Sequence, residues 1–377
     1  MRIAELETPA LLLDEARMER NIARMQERVR RLGVAFRPHV KTNKSIDVTR
    51  RIVSGPDAAI TVSTLREADY FAAQGIKDIL YAVCIAPNKL DHVAALQARG
   101  VRLSIILDSM ETVRVLADRA RTHGQKFDVM VEIDSDGHRS GVQPDAAVLL
   151  DIGRQLAGAG IDVQGVVTHA GSSYDCSSLD AIRAMARQER DGAVHAAQRL
   201  REAGIACPVV SVGSTPTAMF AEDLRGVTEL RAGVFVFFDL FMAGLGVCRL
   251  DELALSVLAT VIGHRPEKGW TLVDAGWMAL SRDRGTAGQA VDQGYGLVCD
   301  VDGKPLDDLM LVGANQEHGI VAHRSGRTEG TLHLPVGTQL RILPNHACAT
   351  AAQYPEYRVV GDPPGEVTAT WPRFNGW

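Results

Sequence analysis

Apolar and polar positions along residues 9–235 follow two rhythms that take turns. Short apolar runs stand at 34–41, 59–64, 78–83, 102–108, 128–134, 163–169, 208–213 and 228–236, with the length of buried strands. Between most of them lie stretches long enough for a helix, rich in Ala, Leu, Arg and Glu. The first helix is the plainest. After an apolar run at 9–13, Asp14 offers a cap, Met18, Ile22, Met25, Val29 and Leu32 recur at three- and four-residue spacing, and Gly33 ends the helix. Strand–helix alternation repeated about eight times predicts an α/β fold, a (β/α)8 TIM-type barrel. A doubly wound open sheet is the runner-up, but no G-x-G-x-x-G follows the first strand.

Near residue 245 the pattern changes. Segments 253–262, 270–274, 294–301, 308–312, 332–334, 339–343 and 366–371 read as strands joined by Gly, Pro and Asp turns, and helical periodicity fades. The expected organisation is a barrel over 15–244 and a C-terminal all-β domain over 245–377, with residues 1–14 free to pack against the second.

Composition adds exclusions. A net charge of −5 over 377 residues argues against a polyanionic partner such as nucleic acid. The basic run at 28–31 sits in the first helical pattern and reads as a solvated face. No apolar stretch of about 18 residues appears, so no membrane association is expected. The start of the chain lacks the basic-then-apolar form of a secretory leader. Six scattered cysteines without a C-x-x-C pair fit neither a disulfide scaffold nor a zinc ribbon, and point to the reducing cytoplasm.

The chemistry collects where apolar runs end. Lys41 closes the run 34–41, Arg139 follows the run 128–134, His169 closes 163–169, Gly213-Ser214-Thr215 follow 208–212, and Gly233-Val234 lie in the last run. A barrel carries its active site on the rim formed by the C-terminal strand ends, so these residues are expected to converge there. Small and glycine-bearing loops offer backbone N–H groups to a phosphate. A buried lysine with a depressed pKa suits imine chemistry. Together they suggest pyridoxal 5'-phosphate (PLP), although class I aldolases also place a Schiff-base lysine in a barrel.

Thr8-Pro9-Ala10, R-P-H-V-K-T at 37–42, G-H-R-S-G-V at 137–142, H-A-G at 169–171, E-L-R-A-G at 229–233, D-A-G-W at 274–277, E-H-G at 317–319 and P-N-H-A-C-A-T at 344–350 span nearly the whole chain in order. With these motifs the sequence resembles the alanine-racemase-fold (fold type III) PLP enzymes of the D-serine dehydratase and D-threonine aldolase family. The resemblance implies that Lys41 carries the cofactor and Arg139 faces its pyridine nitrogen. Arginine does not give up its proton, so the ring would stay unprotonated and be a weaker electron sink. Gly213, Ser214, Thr215, Gly233 and Val234 match the phosphate-binding loops, and His169 and Tyr174 the stretch lining cofactor and substrate. A homodimer is implied as well.

His346 and Cys348 stand two residues apart after the run 339–343. If that segment is extended, both side chains share one side and hold one ion. Imidazole plus thiolate suits zinc first, with Mn, Mg or Co as other divalent cations. The resemblance implies a catalytic metal here, beside the substrate's β-hydroxyl. The expected reaction is loss of water from a D-3-hydroxy amino acid, giving a 2-oxo acid and ammonia, with Lys41 as the base at Cα. Retro-aldol cleavage is the nearest alternative. The aldolases of this family tend to carry Asp where Cys348 stands and a histidine near Asp175, so those two residues favour the dehydratase. Racemisation, using Tyr174 or Tyr295, would leave the H-x-C pair without purpose, and non-catalytic PLP carriers lack the C-terminal domain. Arg282, Arg284 and Gln316 are candidate substrate-binding residues; an arginine holding a β-carboxylate would select D-threo-3-hydroxyaspartate over D-serine.

Overall fold

The computed structural model describes residues 1–328 and 334–377. The chain divides into two compact units, each assembled from separate stretches: Arg24–Lys41, Thr49–Gly233 and Gly376–Trp377 in one, Met1–Ala23, Thr42–Val48 and Val234–Asn375 in the other.

Strand β1 (Ala10–Asp14) belongs to the second unit. The first unit holds eight parallel strands, β2 (Ala35–Phe36), β3 (Ala59–Val62), β4 (Asp78–Cys84), β5 (Arg102–Leu107), β6 (Asp128–Ile133), β7 (Val163–Thr168), β8 (Val209–Val212) and β9 (Glu229–Leu230). They hydrogen-bond in the order β2-β9-β8-β7-β6-β5-β4-β3. The ends of that row meet just beyond β2, where Val40 N–H donates to the Thr61 carbonyl (2.9 Å) and Thr61 N–H to Pro38 (2.8 Å). The expected (β/α)8 barrel is therefore present. Apolar side chains from successive strands pack together in its core, among them Leu80, Ile106, Met130 and Val167. Helices follow the strands as the periodicity predicts. The longest, Leu179–Glu202, buries Ile182, Ala186, Ala193, Ala197 and Leu200, and the alanines in that stripe let it lie close to its neighbours.

The second unit is built on strands β10 (Leu255–Arg265), β11 (Trp270–Val273), β12 (Leu297–Cys299), β13 (Pro305–Ala314), β14 (Gly319–His323), β15 (Gln339–Leu343), β16 (Glu356–Val360) and β17 (Val367–Pro372). With β1 they form one sheet in the order β11-β14-β13-β12-β15-β10-β1-β16-β17, and an added β10–β11 pairing closes part of it on itself. The run at 9–13 is thus no barrel strand: β1 pairs with β10 antiparallel and β16 parallel. Strands β14 and β16 were not legible as strands. The expected strand at 332–334 falls largely outside the described residues. Among the described residues no helix is long and apolar enough to cross a membrane.

Candidate functional site

Each unit carries a polar cluster of its own. In the barrel, the chain leaving β2 runs through Arg37, Pro38 and His39 to Lys41. The Lys41 side chain is exposed, not buried as the imine argument expected. His39 turns its Nε2 toward Ser63 Oγ, 3.3 Å away. After β7, His169 places Nδ1 3.0 Å from the Gly213 carbonyl. A carbonyl can only accept, so Nδ1 carries the hydrogen and Nε2 keeps its lone pair. Burial, then the charge on Lys41, Arg139 and Arg231, pushes His169 down to about 3, so its ring is neutral at ordinary pH. His39 is pushed well below the usual histidine range by burial and the same cations. Tyr174 ends the turn Gly171–Tyr174, its ring centre 6.0 Å from that of His169.

The loop after β8 is held from behind. Gly213 has φ +134°, and a Cβ there would lie 2.1 Å from the Arg231 carbonyl, so only glycine fits. Its N–H donates to Glu189 Oε1 (3.0 Å), and so does Ala170 N–H (2.9 Å). Ser214 caps the short helix Thr215–Phe220, its own N–H donating to Thr217 Oγ1 (3.0 Å) and its hydroxyl lying 2.8 Å from that of Ser173. The expected phosphate donors are thus partly engaged inside the protein. The Thr215 hydroxyl is not: it is buried with no hydrogen-bond partner among the described residues. Gly233 and Val234, both buried, follow the short strand β9 at the point where the two units divide.

Two arginines, not one, bear on the rim histidines. Arg139 is exposed on the loop after β6, whose turn is pinned by Gly137 N–H to Asp134 (2.7 Å) and Gly141 N–H to Asp108 (3.0 Å). Arg231 is buried and fixed by hydrogen bonds to Ser211 Oγ and the Thr168 carbonyl. The barrel also gathers Cys84, Asp108 and Glu132, whose donor atoms lie within 4.8 Å of one another. Burial and both carboxylates raise the Cys84 thiol pKa, so it donates to Glu132 (3.1 Å) as a protonated thiol.

In the second unit, His346 and Cys348 come together by a different route from the one expected. The segment is not extended: His346 is the N-cap of the helix Ala347–Ala351, and Cys348 lies in its first turn. Three alanines in five residues favour the helix, and Asp239 Oδ2 accepts the Ala347 N–H (2.9 Å). The Cys348 sulfur lies near enough to His346 to raise the imidazole's pKa. Thr42 Oγ1 lies 3.2 Å from Cys348 Sγ, and His346 Nδ1 lies 2.7 Å from Asp283 Oδ2. Burial opposes a charged imidazole, but Cys348, Asp283 and Asp239 outweigh it and lift His346 to about 11.

Arg282 is exposed, its guanidinium 5.3 Å from the Trp277 ring. Arg284 pairs with Asp292 (2.6 Å) and lies over Tyr295. The Gln316 side chain is exposed, while its carbonyl accepts Met278 N–H (3.1 Å). Sequence reading overlooked Asp283, Asp239, Thr42 and Glu189, and gave Arg231 no role. Asp283 alone had a visible signal, a carboxylate between two arginines.

Residues 13–240 match the family model for the alanine racemase N-terminal domain, and residues 254–360 that for a putative serine dehydratase domain. The chain is 54% identical over 375 residues to D-threo-3-hydroxyaspartate dehydratase of Delftia sp. (strain HT23), covering 99% of this chain and 98% of that one. It is 31% identical to D-serine dehydratase of Dictyostelium discoideum, covering 96% and 95%. Solved structures include a cysteine-to-alanine mutant of D-threo-3-hydroxyaspartate dehydratase in the metal-free form, which superposes with a TM-score of 0.97 at 53% identity over the full length of both chains.

Proposed function

Since the chain belongs to the alanine-racemase-fold family, in the branch with a serine dehydratase second domain, we propose that it is a PLP- and metal-dependent dehydratase of D-3-hydroxy amino acids. The favoured substrate is D-threo-3-hydroxyaspartate, with D-serine second. The observation that carries this reading is the His346–Cys348 pair at one helix start, with Asp283 Oδ2 2.7 Å from His346 Nδ1.

The residues fit both groups. An exposed lysine, two neutral histidines and an unpartnered buried Thr215 hydroxyl suit a phosphorylated aldehyde cofactor. PLP held through Lys41 supplies electron withdrawal at the substrate's Cα. Gly213, Ser214, Thr215, Gly233 and Val234 would take its phosphate, the Thr215 hydroxyl donating directly. His169 and Tyr174 line the cofactor and substrate face. Lys41 takes the proton from Cα. His346 and Cys348 hold a divalent cation, zinc by the softness of the thiolate, which supplies Lewis acidity to the departing β-hydroxyl. The Cα–H and Cβ–O bonds break, water leaves, and hydrolysis releases ammonia and the 2-oxo acid. Arg284 is committed to Asp292, so Arg282 is the arginine available to a β-carboxylate. Gln316 stays with the substrate group. The resemblance also supports a homodimer, and six free cysteines accord with a reducing cytoplasm.

Incubating the PLP- and zinc-loaded protein with D-threonine separates the reading from its nearest rival. 2-Oxobutanoate is the expected product; acetaldehyde and glycine would mean retro-aldol cleavage instead. Lys41→Ala should abolish turnover and the borohydride-reducible adduct together.

A further inference from the structure

Two arginines flank Asp283 in sequence, and a surface ion pair would be the ordinary reading of such a carboxylate. The structure assigns it elsewhere. Arg284 goes to Asp292 and Arg282 lies over Trp277, while Asp283 Oδ2 meets His346 Nδ1 at 2.7 Å. We propose that Asp283 is the positioning residue of the cation site, holding the His346 ring by Nδ1 so that Nε2 faces the ion, and setting how tightly that ion is held. The inference rests on the proposed cation at His346 and Cys348.

Three rungs join the segment bearing Asp283 to the segment bearing the ligands. Thr350 Oγ1 donates to the Leu280 carbonyl (2.6 Å), Asp283 meets His346, and Thr286 Oγ1 donates to Asn345 Oδ1 (2.6 Å). The outer rungs are fully enclosed, with Thr350 and Thr286 at 0% exposure and Asn345 at 2%. Asn345 is tied further by its amide to the Gly294 carbonyl (2.7 Å).

The carboxylate is itself fixed. Its Oδ1 accepts the Gly285 N–H (2.9 Å), and its backbone N–H donates to Ser281 Oγ (3.1 Å). Ser281 adopts φ +81°, a left-handed conformation that non-glycine residues rarely hold. A Cβ at Gly285 would lie 2.8 Å from the Phe241 ring, which would have to shift to admit it. This much local constraint around a half-buried aspartate keeps its free oxygen on one target.

A histidine ligand whose second nitrogen donates to a carboxylate has a fixed tautomer and a more basic ligating nitrogen, and losing such a partner weakens metal affinity about 10- to 100-fold.

The test uses PLP-loaded protein and zinc ions, with affinity read by competition against a chromophoric chelator. Asp283→Asn should bind zinc at least tenfold more weakly, keep the PLP absorbance of the wild type, and regain most of its kcat at saturating zinc. Thr286→Val breaks a neighbouring rung without touching the ring and should leave zinc affinity within about threefold. Equal zinc affinity in Asp283→Asn and wild type would overturn the inference alone. Equal losses in both variants would also overturn it, showing only a structural role for the segment. A wild-type protein that takes up no zinc or other divalent cation would sink the dehydratase reading and this inference with it.

Discussion

His169 and His39 are held uncharged by burial and by cations around them, and that has a thermodynamic consequence. The His169 pKa falls from an ordinary 6.5 to about 3 on folding. Between those values the unfolded chain takes up a proton that the folded chain refuses, so the stability contributed above pH 6.5 is lost as pH falls. In cofactor-free protein, His169→Asn should take up about one proton fewer on unfolding across that window. Urea midpoints measured from pH 7 to pH 4 check it, and parallel slopes for the two proteins would refute it. The rim arginines make a second residue-scale test. Arg139 has the pyridine-facing role by resemblance, while Arg231 is the one the barrel buries and fixes. The arginine beside the ring nitrogen, when changed to Gln, should shift the cofactor's absorbance as well as activity; the other change should leave the spectrum unaltered. Lys41, His169 and the His346–Cys348 pair were visible as residues of the right kind at element ends. Glu189 was not, and the place of Asp283 between two arginines did not reveal its partner, because a carboxylate's target depends on what folds against it.

At the scale of elements, the motifs at 37–42 and 229–233 turn out to be partners. Arg37, leaving β2, bonds Glu229 on β9 (2.9 Å) and Asp78 on β4 (2.6 Å). Glu229 also accepts from Ser211 on β8 (2.6 Å), which in turn accepts from Arg231. This polar ladder links four strands and ends on Arg231, whose backbone lies against Gly213. Arg37→Met leaves Glu229, 7% exposed, without its cation, and should destabilise the fold by about 3 kcal/mol. Adding Glu229→Gln should recover part of that loss. Chemical denaturation of both variants checks the pair, and a single variant as stable as wild type would contradict the ladder. Strand periods and helix stripes were readable because burial imposes period 2 or 3.6 on one element at a time. Residues 1–14 were left free to pack against the second domain, and the run at 9–13 does so as β1. An apolar strand looks alike in either sheet, and only its partners β10 and β16 decide where it goes.

For the molecule as a whole, the proposed cofactor lysine and the proposed cation ligands fall in different compact units, with Lys41 the last residue of one stretch and Thr42 the first of another. Loading of the two groups should therefore be separable. Chelator treatment of the holoenzyme should remove activity while keeping the PLP absorbance and the borohydride-reducible Lys41. Zinc should then restore turnover. Loss of PLP along with the cation would show that the two sites are not independent.

Amino-acid order alone determined the succession of strands and helices, the change of architecture near residue 245, and the reactive side chains available at strand ends. These follow from local burial patterns and from chemistry each residue carries by itself. Tertiary structure alone decided which sheet took β1, that Cys348 reaches His346 from a helical turn, and that Asp283 serves His346 and not its neighbouring arginines. Those outcomes depend on which groups are brought within hydrogen-bonding reach after burial, and no periodicity along a chain encodes that distance.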